Sequence, residues 1–306
     1  MSLLEQGPML IGAEGDPFDS PDYLFELKLD GERCIAILER DKTVLRNKRG
    51  NLLLPKFPEL SEIYLQVKAP CVLDGELMVQ KNGVPSFSEV QRRTIMSDRL
   101  KIQLAAKRFP ASFVAFDMLE LRGADITQRP LYQRKELLTQ TIRETERLAV
   151  SRVIEEHGRA LYALAAERNL EGIVAKRRDS LYYPGKRTKD WIKIKYLKDD
   201  DFAVCGYIRK SAGVTSLMLG QYEDGRLVYR GHVTLGVSGE VLQRLMELER
   251  QETPPLSVPP GNENAVWLNP TLVCTVRYME KTTSGSLRQP VFKGLREDKD
   301  IHDLIT

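Results

Sequence analysis

Between Tyr23 and Asn47 three short runs, "YLFEL", "RCIAILER" and "TVLRN", set β-branched and large apolar residues in alternation with polar ones. Polar turns with "DG" and "RG" punctuate them, which predicts strands arranged as an antiparallel meander. "CVLDGELMV" and "SFVAFDMLEL" repeat the strand pattern further on. Helical spacing intervenes in "SFSEVQRRT", with Ser86 as its N-cap, and in "PLYQRKELLTQTIRETERL", where Leu131, Leu138, Ile142 and Thr145 fall near one stripe. "GRALYALAAERN" gives a third helix.

After "YLKDDD" the pattern changes to successive hairpins, "DFAVCGYIRK", "SLMLGQY" and "LVYRGHVTLG", followed by one helix at "GEVLQRLMELERQ". That order is expected of a small Greek-key barrel of the OB kind. The Pro- and Asn-rich stretch 252–264 reads as a long surface loop inside it. The fold class is therefore α+β, with a mixed domain over residues 1–198 and a barrel over 199–306. A length of 306 residues agrees with two cores rather than one.

Composition excludes several classes. The apolar runs are far shorter than the ~20 residues of a membrane span, and the N-terminus lacks the basic start and apolar core of a signal peptide, so a cytoplasmic protein without a membrane partner is expected. Four scattered cysteines without a CxxC pair and three scattered histidines speak against zinc, disulfides and Ser-His-Asp or Cys-His chemistry. Net charge is only +3, but basic residues concentrate in "RNKRGN", "QRRT", "SLRQPVFKGLREDK" and the stretch 175–198, where Tyr182, Tyr183 and Trp191 interleave with them. Such interleaving suits phosphate and base contacts.

Six strings remain that strand and turn patterning does not exhaust: "KLDG" at 28–31, "LDGEL" at 73–77, "VAFDML" at 114–119, "EGIVAK" at 171–176, "WIKIK" at 191–195 and "REDK" at 296–299. Singly they are weak; a KxDG string arises by chance in about one chain of this length in a dozen. In this order and spacing they resemble the signature motifs of the covalent nucleotidyltransferases, and specifically of the ATP-dependent DNA ligases. "PFDSPDYLFELKLDGERC", "EGIVAKRRDSLYYPGKRTKDWIKIK" and "LRQPVFKGLREDK" are most similar to the ligase portion of the bacterial end-joining ligases of the ligase D group and their short stand-alone relatives.

The resemblance implies a nucleotidyltransferase domain of ATP-grasp-like antiparallel sheets followed by an OB-fold domain. It implies an enzyme that joins 5′-phosphate and 3′-hydroxyl ends in duplex DNA through a lysine-AMP intermediate, with ATP as co-substrate and Mg2+ or Mn2+. An amine attacks only when unprotonated, so Lys28 as nucleophile needs cations nearby, and Arg33, Lys193 and Lys195 are the candidates. By the same resemblance Glu26 sits near the adenine amino group, Arg33 and Glu76 near the ribose, and Phe116 against the adenine face. Glu171, with Glu76 sharing, is the metal carboxylate, and Arg187 and Lys193 meet the nucleotide phosphate. Of the two arginines in "LRNKRGN", Arg46 is preferred over Arg49 as a nucleotide contact. Asp30 serves the later steps.

Arg296, Asp298 and Lys299 resemble the motif that orients pyrophosphate, acting only when the barrel closes over the site. An RNA ligase, a capping guanylyltransferase and an NAD-dependent ligase share the lysine chemistry, the last two disfavoured by the final motif and by the 27 residues ahead of Lys28. From another class, a non-catalytic DNA-end-binding module would take no covalent label. The implied setting is a bacterial, nucleoid-associated monomer without a separate DNA-binding, polymerase or nuclease domain. Its grip on DNA is expected to need the segment 92–109 or a partner, such as a Ku-type end-binding protein or a separate polymerase.

Overall fold

The computed structural model describes residues 6–81, 83–209, 215–282 and 284–305. The first five residues of the segment read against a signal peptide lie outside them. Among the described residues no helix is long and apolar enough to cross a membrane. The chain divides into two compact units, Met1–Tyr196 and Leu197–Thr306.

In the first unit the chain runs through β1 (Leu10–Glu14), β2 (Ser20–Leu27), β3 (Glu32–Leu38), β4 (Thr43–Asn47) and β5 (Cys71–Lys81). Two helices follow, α1 (Phe87–Ile95) and α2 (Arg99–Arg108), then β6 (Ala111–Leu121) and α3 (Leu131–Thr141). It ends with β7 (Leu148–Val150), β8 (Val153–Glu156), α4 (Gly158–Glu167), β9 (Gly172–Arg177) and β10 (Arg187–Lys195). One five-stranded sheet has the order β1-β10-β9-β2-β8, and a second is built on β4-β3-β5-β6 with β7 beside β6. Each expected antiparallel sheet also carries one parallel pairing, β1 with β10 and β6 with β7.

The meander expected over 22–54 is not continuous, because β2 pairs with β8 and β9 while β3 pairs with β4 and β5. "KLDG" is thus the crossing from one sheet to the other. Two backbone features make the crossing. The Lys28 N–H donates to the Gly172 carbonyl at 2.9 Å, which ties the lysine to β9. Gly31 passes so close to β5 that a Cβ there would lie 2.2 Å from the Leu77 carbonyl oxygen, so only glycine fits.

Strand alternation then sorts the side chains. Phe25, Ile173, Ala175 and Ile194 pack against Leu161 and Ala165 of α4. The opposite face of the same sheet meets the second sheet through Val174 and Trp191 on one side and Ile35, Val72, Phe116 and Leu119 on the other. The outer face of the second sheet buries Cys34, Ala36, Leu38, Leu73, Leu77 and Phe113 in the unit's largest core. The positions with period 2 relative to these cores, Glu26, Lys28, Lys176, Lys193, Arg33 and Glu76, are polar.

Two helix expectations change. Helix α3 stops at Thr141, so Thr145 lies beyond it; Ile142 bridges to Val67 and the Arg143 N–H donates to Gln66 O at 2.7 Å, pulling the chain out of the helix. Ser86 occupies the N-cap of α1, but its hydroxyl faces Ser88 at 3.1 Å instead of capping.

The second unit contains β11 (Lys198–Arg209), β12 (Thr215–Glu223), β13 (Arg226–Val233), α5 (Gly239–Met246), β14 (Val273–Tyr278) and β15 (Val291–Leu295). Strand β11 pairs with β12 and β14, β12 with β13, and β14 with β15. Just past β13, Leu235 bridges in parallel to Val291 of β15, with the Phe292 N–H on Leu235 O at 2.8 Å. This closes a five-stranded circuit with one helix between its third and fourth strands, which is the OB-fold. Its interior holds Phe202, Val204, Leu217, Leu219, Val233, Cys274 and Phe292 with Leu245 of α5. Residues 252–264 form no helix or strand, as their composition requires.

Candidate active site

A pocket in the first unit is lined by Glu26, Lys28, Arg33, Glu76, Phe116, Lys176 and Trp191, with Ile11, Leu27, Leu29 and Val174 between them. Four predicted nucleotide contacts, Glu26, Arg33, Glu76 and Phe116, share its wall with the predicted nucleophile. Lys28 Nζ is 2.7 Å from Glu171 Oε1, and the lysine side chain keeps 21% of its surface exposed against 6% for the glutamate.

Arg33 forks onto Asp74, at 2.7 and 2.6 Å, and donates to Met9 O at 3.1 Å. Tyr182 donates to the same aspartate at 2.6 Å. Held there, the guanidinium lies 4.7 Å from the centre of the Phe116 ring. Lys176 covers Phe116 at 4.3 Å and Trp191 at 4.5 Å, so two cations flank the aromatic wall. At the inner end Glu26 is buried, with Lys135 at 2.7 Å and Lys176 at 2.9 Å.

Burial sets the proton affinities. Despite the cost of its own burial, Glu26 stays below the ordinary carboxylate range because Lys135 and Lys176 face it. Lys176 is lowered to about 8 by desolvation, which outweighs the pull of Glu26. Glu76 is pushed up to about 8, first by burial, with Asp74 and Glu171 adding repulsion and Arg33 and Lys28 opposing it. Glu76 and Glu171 repel each other at this site, and carboxylate oxygens are the hard ligands that a divalent cation takes. Among the described residues no group of three or more His, Cys, Asp and Glu could hold a metal, so these two carboxylates do not by themselves make a complete ligand set.

Lys193 and Lys195 project from β10 on the face opposite Ile194, as alternation predicts. Lys193 pairs with Glu14 of β1 at 2.9 Å and lowers its pKa, and burial lowers that of Lys195. Arg187 begins β10, is exposed, and donates to Ile11 O at 2.5 Å. Arg46 donates to Gly50 O at 3.0 Å, within its own hairpin turn, and neither it nor the exposed Arg49 lines the pocket. Asp30 is partly buried in the crossing. In the second unit Arg296 and Lys299 both pair with Asp201, at 3.0 and 2.7 Å, and Arg296 also forks onto Asp298.

Sequence reasoning assigned no role to Lys176 or Asp74, though both stand inside quoted strings, and it missed Lys135 and Arg134 of α3 altogether. A charged pair inside an otherwise apolar helix stripe was the available signal for the last two.

Residues 15–195 match the ATP dependent DNA ligase domain, and residues 210–299 the ATP dependent DNA ligase C terminal region. The chain belongs to the ATP-dependent DNA ligase family. Among members of that family, the multifunctional non-homologous end joining DNA repair protein LigD of Mycobacterium tuberculosis is 31% identical over 295 residues, covering 92% of this chain and 37% of that protein. The chain thus spans just over a third of the length of this LigD relative. The SPbeta prophage-derived DNA ligase-like protein LigB of Bacillus subtilis is 30% identical over 291 residues, covering 94% of this chain and 98% of LigB. The solved structure of mycobacterial DNA ligase D complexed with ATP and MES superposes with a TM-score of 0.58 at 29% identity, covering 100% of this chain and 99% of that one. The nucleotidyltransferase-plus-OB architecture is that of ATP-dependent DNA ligases.

Proposed function

We propose that the chain is an ATP-dependent DNA ligase that seals 5′-phosphate/3′-hydroxyl breaks in duplex DNA. The observation that carries this reading is Lys28 at the wall of a pocket whose inner end pairs a carboxylate and an ammonium beside an aromatic face.

In the first step the Lys28 amine attacks the α-phosphorus of ATP, a P–N bond forms and pyrophosphate leaves. Glu26 accepts from the adenine amino group and Lys176 donates to the neighbouring ring nitrogen. Phe116 stacks on the base, and Arg33 and Glu76 meet the ribose. Lys193, Lys195 and Arg187 stabilise charge on the phosphate, Arg46 is a further nucleotide contact, and Arg296 and Lys299 hold the departing pyrophosphate. Glu171 and Glu76 would hold Mg2+ or Mn2+, which supplies charge neutralisation at the phosphates when bound.

AMP then passes to the 5′-phosphate of the break, with Asp30 assisting, and the 3′-hydroxyl displaces it to close the strand. The end-joining DNA repair name of the LigD relative supports a DNA-repair role. The proposed partner is a Ku-type end-binding protein or a separate polymerase, and the proposed setting is nucleoid DNA in a bacterial cytoplasm.

Incubation with α-labelled ATP and magnesium, followed by denaturing electrophoresis, tests the mechanism. The parent protein acquires an acid-labile label and Lys28→Ala acquires none. An unlabelled parent, or an equally labelled variant, overturns the assignment.

A further inference from the structure

Helix α3 lies outside the six strings, yet two of its consecutive cations pair with acids on the two sheets that form the pocket. Arg134 forks onto Asp117 of β6, at 2.8 Å to each oxygen, and Lys135 reaches Glu26 of β2 at 2.7 Å. Consecutive helical residues point about 100° apart, so one turn of α3 engages both sheets.

Lys135 and Lys176 meet the same oxygen of Glu26, Oε1. A carboxylate facing one lysine forms a closed, neutral pair. Facing two, it is more than neutralised, and Lys176 keeps donor capacity for something else, because an ammonium has three N–H groups. Glu26 and Lys176 line the pocket, whereas Lys135 stands behind Glu26 and outside the lining. Lys135 is 7% exposed, so it serves no surface role.

We propose that Lys135 is a positioning residue for nucleobase selection. By sharing Oε1 it fixes Glu26 as a hydrogen-bond acceptor and keeps Lys176 available as a donor toward the base. This rests on the adenylation reading above. The pairing edge of adenine offers an amino donor beside a ring-nitrogen acceptor, and that of guanine a carbonyl acceptor beside an N–H donor. A fixed acceptor and donor therefore favour ATP and leave guanine with like groups opposed. Without Lys135, Lys176 closes onto Glu26 and both signals weaken.

The test uses the full chain with magnesium and either α-labelled ATP or α-labelled GTP, and reads the ratio of initial labelling rates at Lys28. Both lanes come from one preparation, so a misfolded fraction cancels. Lys135→Met and Lys135→Gln are expected to lower the ATP:GTP ratio by about 10-fold, mainly through a higher KM for ATP, with Lys135→Arg staying within about 3-fold of the parent. The parental ratio in both uncharged variants overturns the proposal, as does an arginine variant that falls as far as they do. An unlabelled parent overturns the adenylation reading along with it, whereas an unchanged ratio on a labelled parent overturns the positioning role alone.

Discussion

At the scale of single residues, the pocket is defined by charges that burial makes expensive. Glu76 illustrates this. Its carboxyl is raised from 4.5 to about 8 by burial, so the folded protein holds a proton that the unfolded chain has released between those values. Stability therefore falls as pH rises from about 4.5 to 8, and the loss is complete above that window. Glu76→Gln removes the titration. In thermal melts without nucleotide its Tm is expected to exceed the parent's at pH 8 and to converge with it near pH 4.5; Tm curves that stay parallel across that range would refute burial of Glu76 as the cause. The sequence made Lys28 and Glu76 legible as candidates because each sits in one of the six strings, and Glu26 because it stands two residues before Lys28. It could not assign Asp74 and Tyr182, whose role is to hold Arg33 against Phe116, because that job exists only once residues more than 100 positions apart meet.

At the scale of elements, strands were readable from alternation, and their grouping into sheets was not. Nothing in "YLFELKLDGERCIAILER" marks β2 and β3 as members of different sheets; the separation depends on the close approach of Gly31 to Leu77 and of Lys28 to Gly172. Helix α3 was placed by its stripe but extended four residues too far, since the tertiary pull of Val67 and Gln66 on Ile142 and Arg143 leaves no local trace. Its Arg134–Asp117 pair, with both side chains fully buried, joins helix to sheet. Asp117→Asn leaves Arg134 uncompensated and is expected to cost about 3–5 kcal/mol in urea unfolding. The double change Asp117→Leu with Arg134→Met recovers most of that loss, because a buried ion pair gains little over apolar packing. A double variant as unstable as Asp117→Asn would show instead that the pair itself is the stabilising element.

At the scale of the whole molecule, the proposed mechanism draws on residues of both units. Pyrophosphate departs only in the first step, so Arg296→Ala is expected to slow Lys28 labelling by at least about 10-fold while leaving closure of a pre-adenylated nick near the parental rate. Equal losses in both steps would assign Arg296 to DNA binding instead. The first unit also has an unusual connectivity: β1 has its partner 177 residues away, in β10, whereas the second sheet is complete once β7 at 148–150 exists. During synthesis the second sheet can therefore assemble as an insertion while β1 waits unpaired on the emerging chain. Lys193 and Lys195 arrive on the last strand to dock. A ribosome-bound chain shorter than about 195 residues therefore carries Lys28, the proposed nucleophile, without Lys193 and Lys195, the cations proposed to serve it.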